Sequence, residues 1–131
     1  MRHASILLVE DEALIRMMLV EMLEELGHKV VAEAATVDEG RSLAEHAAYD
    51  LAILDINLQG TNCGPIATAV VDRGVPLLFL SGYGSAGVPA GHEGVRVVNK
   101  PCTIEFLKLA IERCLEEHSA QQSGDEVNKT S

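Results

Sequence analysis

A chain of 131 residues with 47% hydrophobic content can bury one real core, which places it among globular rather than disordered proteins. The formal net charge is −10 with no basic stripe, so DNA and RNA are repelled rather than steered in. No apolar stretch approaches the length of a membrane span and no charged-then-apolar leader opens the chain, so the expected setting is cytoplasmic, without membrane insertion.

Strand and helix signals alternate from Ser5 to about His118. Residues 6–9, Ile-Leu-Leu-Val, form the first apolar run and end in Glu10-Asp11-Glu12. A helix follows with Leu14, Met18, Met22 and Leu26 in one line and Ile15, Leu19 and Leu23 beside it, a 3.6-residue stripe stopped by Gly27. Residues 29–32 read as a short second strand. Thr36-Val37-Asp38-Glu39 is a capping box that opens a helix expected to bury Leu43 and Ala47. The third strand, Leu51-Ala52-Ile53-Leu54, ends in Asp55.

A third helix is predicted over 65–73, with Pro65 in its first turn and Gly74 behind it. Residues 75–80 and 95–98 are the fourth and fifth strands, the latter ending in Asn99-Lys100-Pro101. Between Ser81 and Gly94 stand five glycines and Pro89, so the fourth helix is weak or irregular and the loop before it mobile. Thr103 caps a last helix with Ile104, Leu107, Ile111, Cys114 and Leu115 on one face. Residues 119–131 are polar and unpatterned and read as a disordered tail behind one domain, 1–118.

Short apolar runs alternating with helices imply an α/β fold: five buried parallel strands, helices on both faces, right-handed crossovers. Ligands of such sheets bind at the carboxyl ends of the strands. One rim would then gather Glu10, Asp11, Asp55 and Lys100. A lone Asp55 would read as a turn-starting cap. Several carboxylates together raise one another's pKa and need a cation to stay ionised. A small hard cation suits them, Mg²⁺ first with Mn²⁺ as a substitute, and Lys100 suits one oxygen of a phosphoryl group.

Four pieces in order, Leu7-Leu8-Val9-Glu10-Asp11-Glu12, Leu51-Ala52-Ile53-Leu54-Asp55, Leu80-Ser81-Gly82-Tyr83 and Val98-Asn99-Lys100-Pro101, together resemble the response-regulator receiver domains of two-component phosphorelays. The resemblance covers about Ser5 to His118. It implies a flavodoxin-like doubly wound sheet of strand order 2-1-3-4-5. It also implies Asp55 as phosphoacceptor, Asp11 and Asp55 as carboxylate ligands of Mg²⁺ with the backbone carbonyl of Asn57, and Glu10 acting through water. Ser81 takes the position of the hydroxyl that bonds the phosphoryl group, Lys100 that of the lysine, and the Lys100–Pro101 bond is expected to be cis. The implied partners are a histidine kinase or histidine phosphotransfer protein and a downstream protein.

Three residues before Lys100, where many receivers place an aromatic switch, stands Val97. Phe79-Leu80-Ser81-Gly82-Tyr83 is similar to the Phe-Ala-Thr-Gly-Tyr signature of a branch of single-domain receivers, which makes Tyr83 a switch candidate and equally a half-exposed loop tyrosine. A stand-alone receiver acts by phosphorylation-dependent binding, or as a phosphate sink or shuttle.

Two enzyme readings compete. Gly82-Tyr83-Gly84-Ser85-Ala86-Gly87 matches a dinucleotide fingerprint, which requires a helix opening at once, whereas Val88-Pro89-Ala90-Gly91 follows. Asp55-Ile56-Asn57 resembles a phosphatase nucleophile motif, but Asn57 cannot move the proton that the second position requires. Cys63, Cys102 and Cys114 fit reduced thiols, Cys102 more simply a small residue than a reactive one, and none of the five histidines has ligand spacing.

Overall fold

The computed structural model describes residues 3–130, with side chains to residue 121. Strands β1 (Ser5–Val9), β2 (Lys29–Ala34), β3 (Leu51–Asp55), β6 (Leu77–Ser81) and β7 (Val97–Asn99) form one sheet in the order β2-β1-β3-β6-β7. Every pairing in it is parallel. The expected α/β architecture and doubly wound order are therefore present. Strands β4 (Asn57–Leu58) and β5 (Thr61–Asn62) form a small antiparallel hairpin that the sequence reading missed.

Period-two alternation divides the core. Leu7, Val9, Ala52, Leu54 and Phe79 face one way and pack with Ala44 of α2 (Val37–His46) and Ile66, Ala67 and Val70 of α3 (Gly64–Asp72). Ile6, Leu8, Leu51, Ile53, Leu78, Leu80 and Val98 face the other way. They meet Leu19 and Leu23 of α1 (Ala13–Glu25) and Leu107, Ile111 and Leu115 of α4 (Ile104–Thr130). The β3 strand is buried along its whole length because both faces are covered. Gly40 of α2 lets that helix close on α3, since a Cβ there would stand 2.6 Å from Ile66 Cδ1.

Several details differ from the sequence reading. On α1 the buried line is Leu19 and Leu23, whereas Leu14 and Met18, expected inside, are 77% and 56% exposed. The helix is apolar on most of its circumference, so periodicity could not fix which face turns inward. On α2 the buried positions are Gly40 and Ala44, with Leu43 and Ala47 partly covered beside them. The capping box is formed, with Thr36 Oγ1 accepting from Glu39 N–H at 3.2 Å. Between β6 and β7 the chain makes turns with no helix, as five glycines and a proline dictate. Beyond His118 the backbone stays helical to Thr130, where a disordered tail was expected; the side chains of 122–130 lie outside the described residues.

One buried polar contact has a pH consequence. His28, 7% exposed, accepts the Ala4 N–H at Nδ1 over 3.0 Å, which requires a neutral ring. Burial, then the charge of His3, holds its pKa below the ordinary value, against an opposing pull from Glu112. A depressed histidine stabilises the fold above its unfolded pKa and loses that contribution as pH falls through the folded one. The unfolding free energy should therefore fall on acidification below pH ~6.5, by no more than ~1.4 kcal/mol per pH unit for one proton, and the melting temperature with it. A His28→Gln variant should show a flatter profile in thermal melts over that range. An unchanged profile would assign the slope to other groups.

Candidate functional site

The rim where β1, β3, β6 and β7 end carries the chemistry. Each apolar strand ends at or just before a polar residue, and these residues gather around a common cleft. Glu10 continues from β1 and is 0% exposed; Asp55 closes β3 at 4% and Ser81 closes β6 at 3%. Asp11 follows Glu10, and Lys100 comes directly after β7. All the residues singled out from sequence are thus brought to one end of the sheet, and the Lys100–Pro101 bond is cis.

Lys100 Nζ donates to Glu10 Oε1 at 2.8 Å and to Asp55 Oδ2 at 2.9 Å. Oxygens of Glu10, Asp11 and Asp55 lie within 4.8 Å of one another. Each carboxylate also accepts one backbone N–H. Glu12 N–H donates to Glu10 Oε2 at 3.0 Å, Gln59 N–H to Asp11 Oδ2 at 3.0 Å, and Asn57 N–H to Asp55 Oδ1 at 3.3 Å. Arg16 Nη1 reaches the Glu10 carbonyl at 2.7 Å and Arg16 also pairs with Glu33. The Ser81 hydroxyl accepts the Tyr83 N–H at 3.0 Å.

Three carboxylates against one ammonium leave the cluster short of positive charge. Burial pushes Glu10 up to about 7, with the Lys100 bond pulling the other way. Burial likewise raises Asp55, again opposed by Lys100. At Asp11 burial acts upward, but hydrogen bonds from Glu10 and from Gln59 N–H outweigh it and hold the carboxyl below its usual range. For Lys100 burial would lower the pKa, yet the bonds to Glu10 and Asp55 win and raise it. Oxygen-only donors, tightly grouped and over-negative, fit a hard divalent ion.

A cleft of about 810 Å³ opens over the cluster. One wall is polar, with Asp11, Asp55, Ser81 and Lys100; the other is apolar, with Ile15, Met18, Met22, Pro101 and Cys102. Burial raises the Cys102 thiol, so the residue behaves as a small apolar group rather than a thiolate. Tyr83 is 80% exposed. Val97 is partly buried and packs against the α2–α3 side of the core. The glycine run 82–87 leads into turns and no helix, so the dinucleotide fingerprint lacks its structural context. The Asn57 side chain is occupied in the hairpin, its Oδ1 accepting Gly60 N–H at 2.7 Å.

Sequence reasoning missed Gln59, Asn62 and Arg16. The signal for the first two was Gln59-Gly60, a two-residue turn with both φ values positive, 53° and 85°. Such turns are strongly recognisable only with Asn or Asp in the first place.

The response regulator receiver domain profile matches residues 6–112, and the chain belongs to that family. It is a receiver domain of the two-component response regulators, signalling domains that generally bind Mg²⁺ at an acidic pocket; here Glu10, Asp11 and Asp55 form an acidic cluster. The chain is 37% identical over 79 residues to the transcriptional regulatory protein PdtaR of Mycobacterium tuberculosis, covering 60% of this chain and 38% of that protein. To the transcriptional regulatory protein YvrH of Bacillus subtilis it is 30% identical over 86 residues, 65% of this chain and 36% of that one. The chain thus spans little more than a third of the length of these relatives. Among solved structures, SdrG of Sphingomonas melonis superposes with TM-score 0.75 at 36% identity, covering 85% of this chain and 95% of that one. PhyR of Brucella abortus gives TM-score 0.83 at 26% identity, covering 97% of this chain and 54% of that one.

Proposed function

We propose that the chain accepts a phosphoryl group on Asp55 from the phosphohistidine of a histidine kinase or histidine phosphotransfer protein, and signals by binding a downstream protein in its phosphorylated form. The observation that carries this reading is Asp55 itself, a nearly buried carboxylate that still lines an open cleft and is bonded to a lysine. Asp11, Asp55 and the backbone carbonyl of Asn57 would hold Mg²⁺, with Glu10 acting through water. The ion would supply neutralisation of charge on the phosphoryl oxygens.

In the transfer, a carboxylate oxygen of Asp55 attacks phosphorus in line, an O–P bond forms, and the P–N bond to imidazole breaks with the electron pair leaving on nitrogen. Lys100 stays paired with the carboxylates until the phosphoryl oxygens arrive and then offers them its N–H groups. Ser81 already accepts from Tyr83 N–H, so its own hydrogen is free to donate to a phosphoryl oxygen. The protein mainly positions the groups. Incubation with Mg²⁺ and acetyl phosphate should add one hydroxylamine-labile phosphoryl group, read by intact mass spectrometry. No labelling would overturn the reading. A phosphate sink or shuttle would use the same chemistry without a downstream partner.

The partner that delivers phosphohistidine must sit over the cleft. Beside it α1 presents Leu14, Met17 and Met18, respectively 77%, 59% and 56% exposed, and methionine adapts readily to a partner surface. The double variant Leu14→Gln with Met17→Gln should slow phosphotransfer from a cognate kinase about tenfold or more, an effect of ~1.4 kcal/mol. Labelling by acetyl phosphate, which needs no docking, should be unchanged. Equal kinase rates would move the docking face elsewhere.

Among the described residues no helix is long and apolar enough to cross a membrane. The working unit is proposed to be residues 1–118. Removal of 119–131 should leave acetyl phosphate labelling intact, and a loss of labelling would show that this part of α4 is needed.

A further inference from the structure

The segment between β6 and β7, residues 82–96, is a chain of turns closed by short backbone bonds such as His92 N–H to Pro89 O at 3.0 Å. It lies as a strap across the α3 side of the rim. Pro89 is buried and Val88 packs on the core below. The Gly87 stretch sits over β3, where a Cβ on Gly87 would be 3.4 Å from Ile56 Cγ2, one residue past Asp55.

The β4–β5 hairpin stands between that strap and the acidic cluster. It bonds both flanking carboxylates, through Asn57 N–H to Asp55 and Gln59 N–H to Asp11. Beside Asn57 at the open end of the hairpin, and paired across it, stands Asn62. Its Oδ1 accepts Gly64 N–H at 2.9 Å, in the first turn of α3, and its Nδ2 donates to the Gly87 carbonyl at 2.8 Å. One amide therefore joins the hairpin, the start of α3 and the apex of the strap.

Resting on the phosphoacceptor reading, we infer that Asn62 is a positioning residue that carries the state of the Asp11–Asp55 site to the 82–96 strap through the hairpin. A cation or phosphoryl group at Asp55 engages the same two carboxylates that accept the hairpin's N–H groups, Asp55 from Asn57 and Asp11 from Gln59, so its arrival bears directly on the hairpin. The hairpin is two residues per strand and moves as a unit, so Asn62 shifts with it. The strap, rich in glycine, follows the Gly87 carbonyl rather than resisting it. This route does not pass through Ser81, whose hydroxyl accepts Tyr83 N–H where the strap begins, and it needs no aromatic residue at position 97.

Asn62 allows a selective test, because its two bonds use different atoms. Asn62→Asp keeps the acceptor for Gly64 N–H and replaces the donor to Gly87 with a second acceptor; Asn62→Ala removes both. Hydrogen exchange is measured on wild type and both variants with Mg²⁺, with and without beryllofluoride, a phosphoryl mimic, alongside acetyl phosphate labelling. The expected result is a change in protection over 82–94 in wild type that shrinks at least threefold in both variants, with labelling rates within twofold of wild type. A strap that responds fully in Asn62→Asp, including the case where only Asn62→Ala is impaired, overturns the inference and leaves Asn62 as a cap of α3. A wild-type strap that does not respond overturns it as well. Wild type that takes up no label sinks the phosphoacceptor reading first, and the inference with it.

Discussion

Exchange of Asp55 for asparagine should abolish acyl-phosphate formation and at the same time raise the melting temperature in metal-free buffer. The first effect follows from chemistry: an amide nitrogen or oxygen does not displace imidazole or acetate from phosphorus, and of the three rim carboxylates only Asp55 both lines the cleft with Ser81 and is bonded to Lys100. The second follows from the electrostatics. Asp55 is 4% exposed and its pKa is raised by burial, so the ionised form costs the folded state free energy at neutral pH. Asparagine fills the same volume, can still accept from Lys100, and removes one of three crowded negative charges. Mg²⁺ should narrow the difference by stabilising wild type more than the variant. Intact mass spectrometry and thermal melts with EDTA or Mg²⁺ check both effects. Equal labelling of the two proteins would remove Asp55 as the acceptor, and a variant less stable without metal would show that the Lys100 pairing outweighs the burial and repulsion.

The strand ends were legible because a fully buried strand leaves a plain mark, an apolar run that stops at charge. Leu51-Ala52-Ile53-Leu54-Asp55 is such a run, and the structure buries every residue of it. Lys100 could be read for the same reason, and with these ends came the composition of the site. Strand starts were less legible: residues 75, 76, 95 and 96 belong by composition to the runs that follow, yet β6 and β7 begin at Leu77 and Val97. Pro76 lacks the N–H that a central strand needs. The face of α1 was illegible because exposed and buried apolar residues carry the same letters, and the exposed Leu14, Met17 and Met18 spoil the phase of the stripe. The hairpin was illegible for a different reason. Gln59 at φ 53° is a costly residue for its conformation, held there by its N–H bond to Asp11, a contact 48 positions away in sequence that no local pattern records. The ends of the strands can be read from local composition; the loop that connects the site to its surroundings depends on the assembled rim.

Replacement of Lys100 by methionine should destabilise the fold by about 3–5 kcal/mol at neutral pH without metal, since it strips the shared cation from two buried carboxylates. Lys100 Nζ is within 2.9 Å of both Asp55 and Glu10, which are 4% and 0% exposed, and its side chain is itself largely covered. Methionine keeps the length and the apolar stem, so the loss measured is that of the charge and its hydrogen bonds rather than of packing. Chemical denaturation gives the magnitude, and two rescues identify the cause. Adding Asp55→Asn to Lys100→Met should recover part of the loss by removing one of the stranded charges, so the two substitutions are non-additive. Mg²⁺ should recover part of it by supplying a cation at the same place. Labelling of the single variant by acetyl phosphate should fall about 10²–10³-fold even when Mg²⁺ restores stability, because the ammonium is then missing from the charge that develops on the phosphoryl oxygens. If Lys100→Met melts like wild type, or if Asp55→Asn adds its effect independently, the lysine is not what allows these carboxylates to share a buried rim. In that case the proton at Glu10, whose pKa burial lifts to about 7, carries the balance instead.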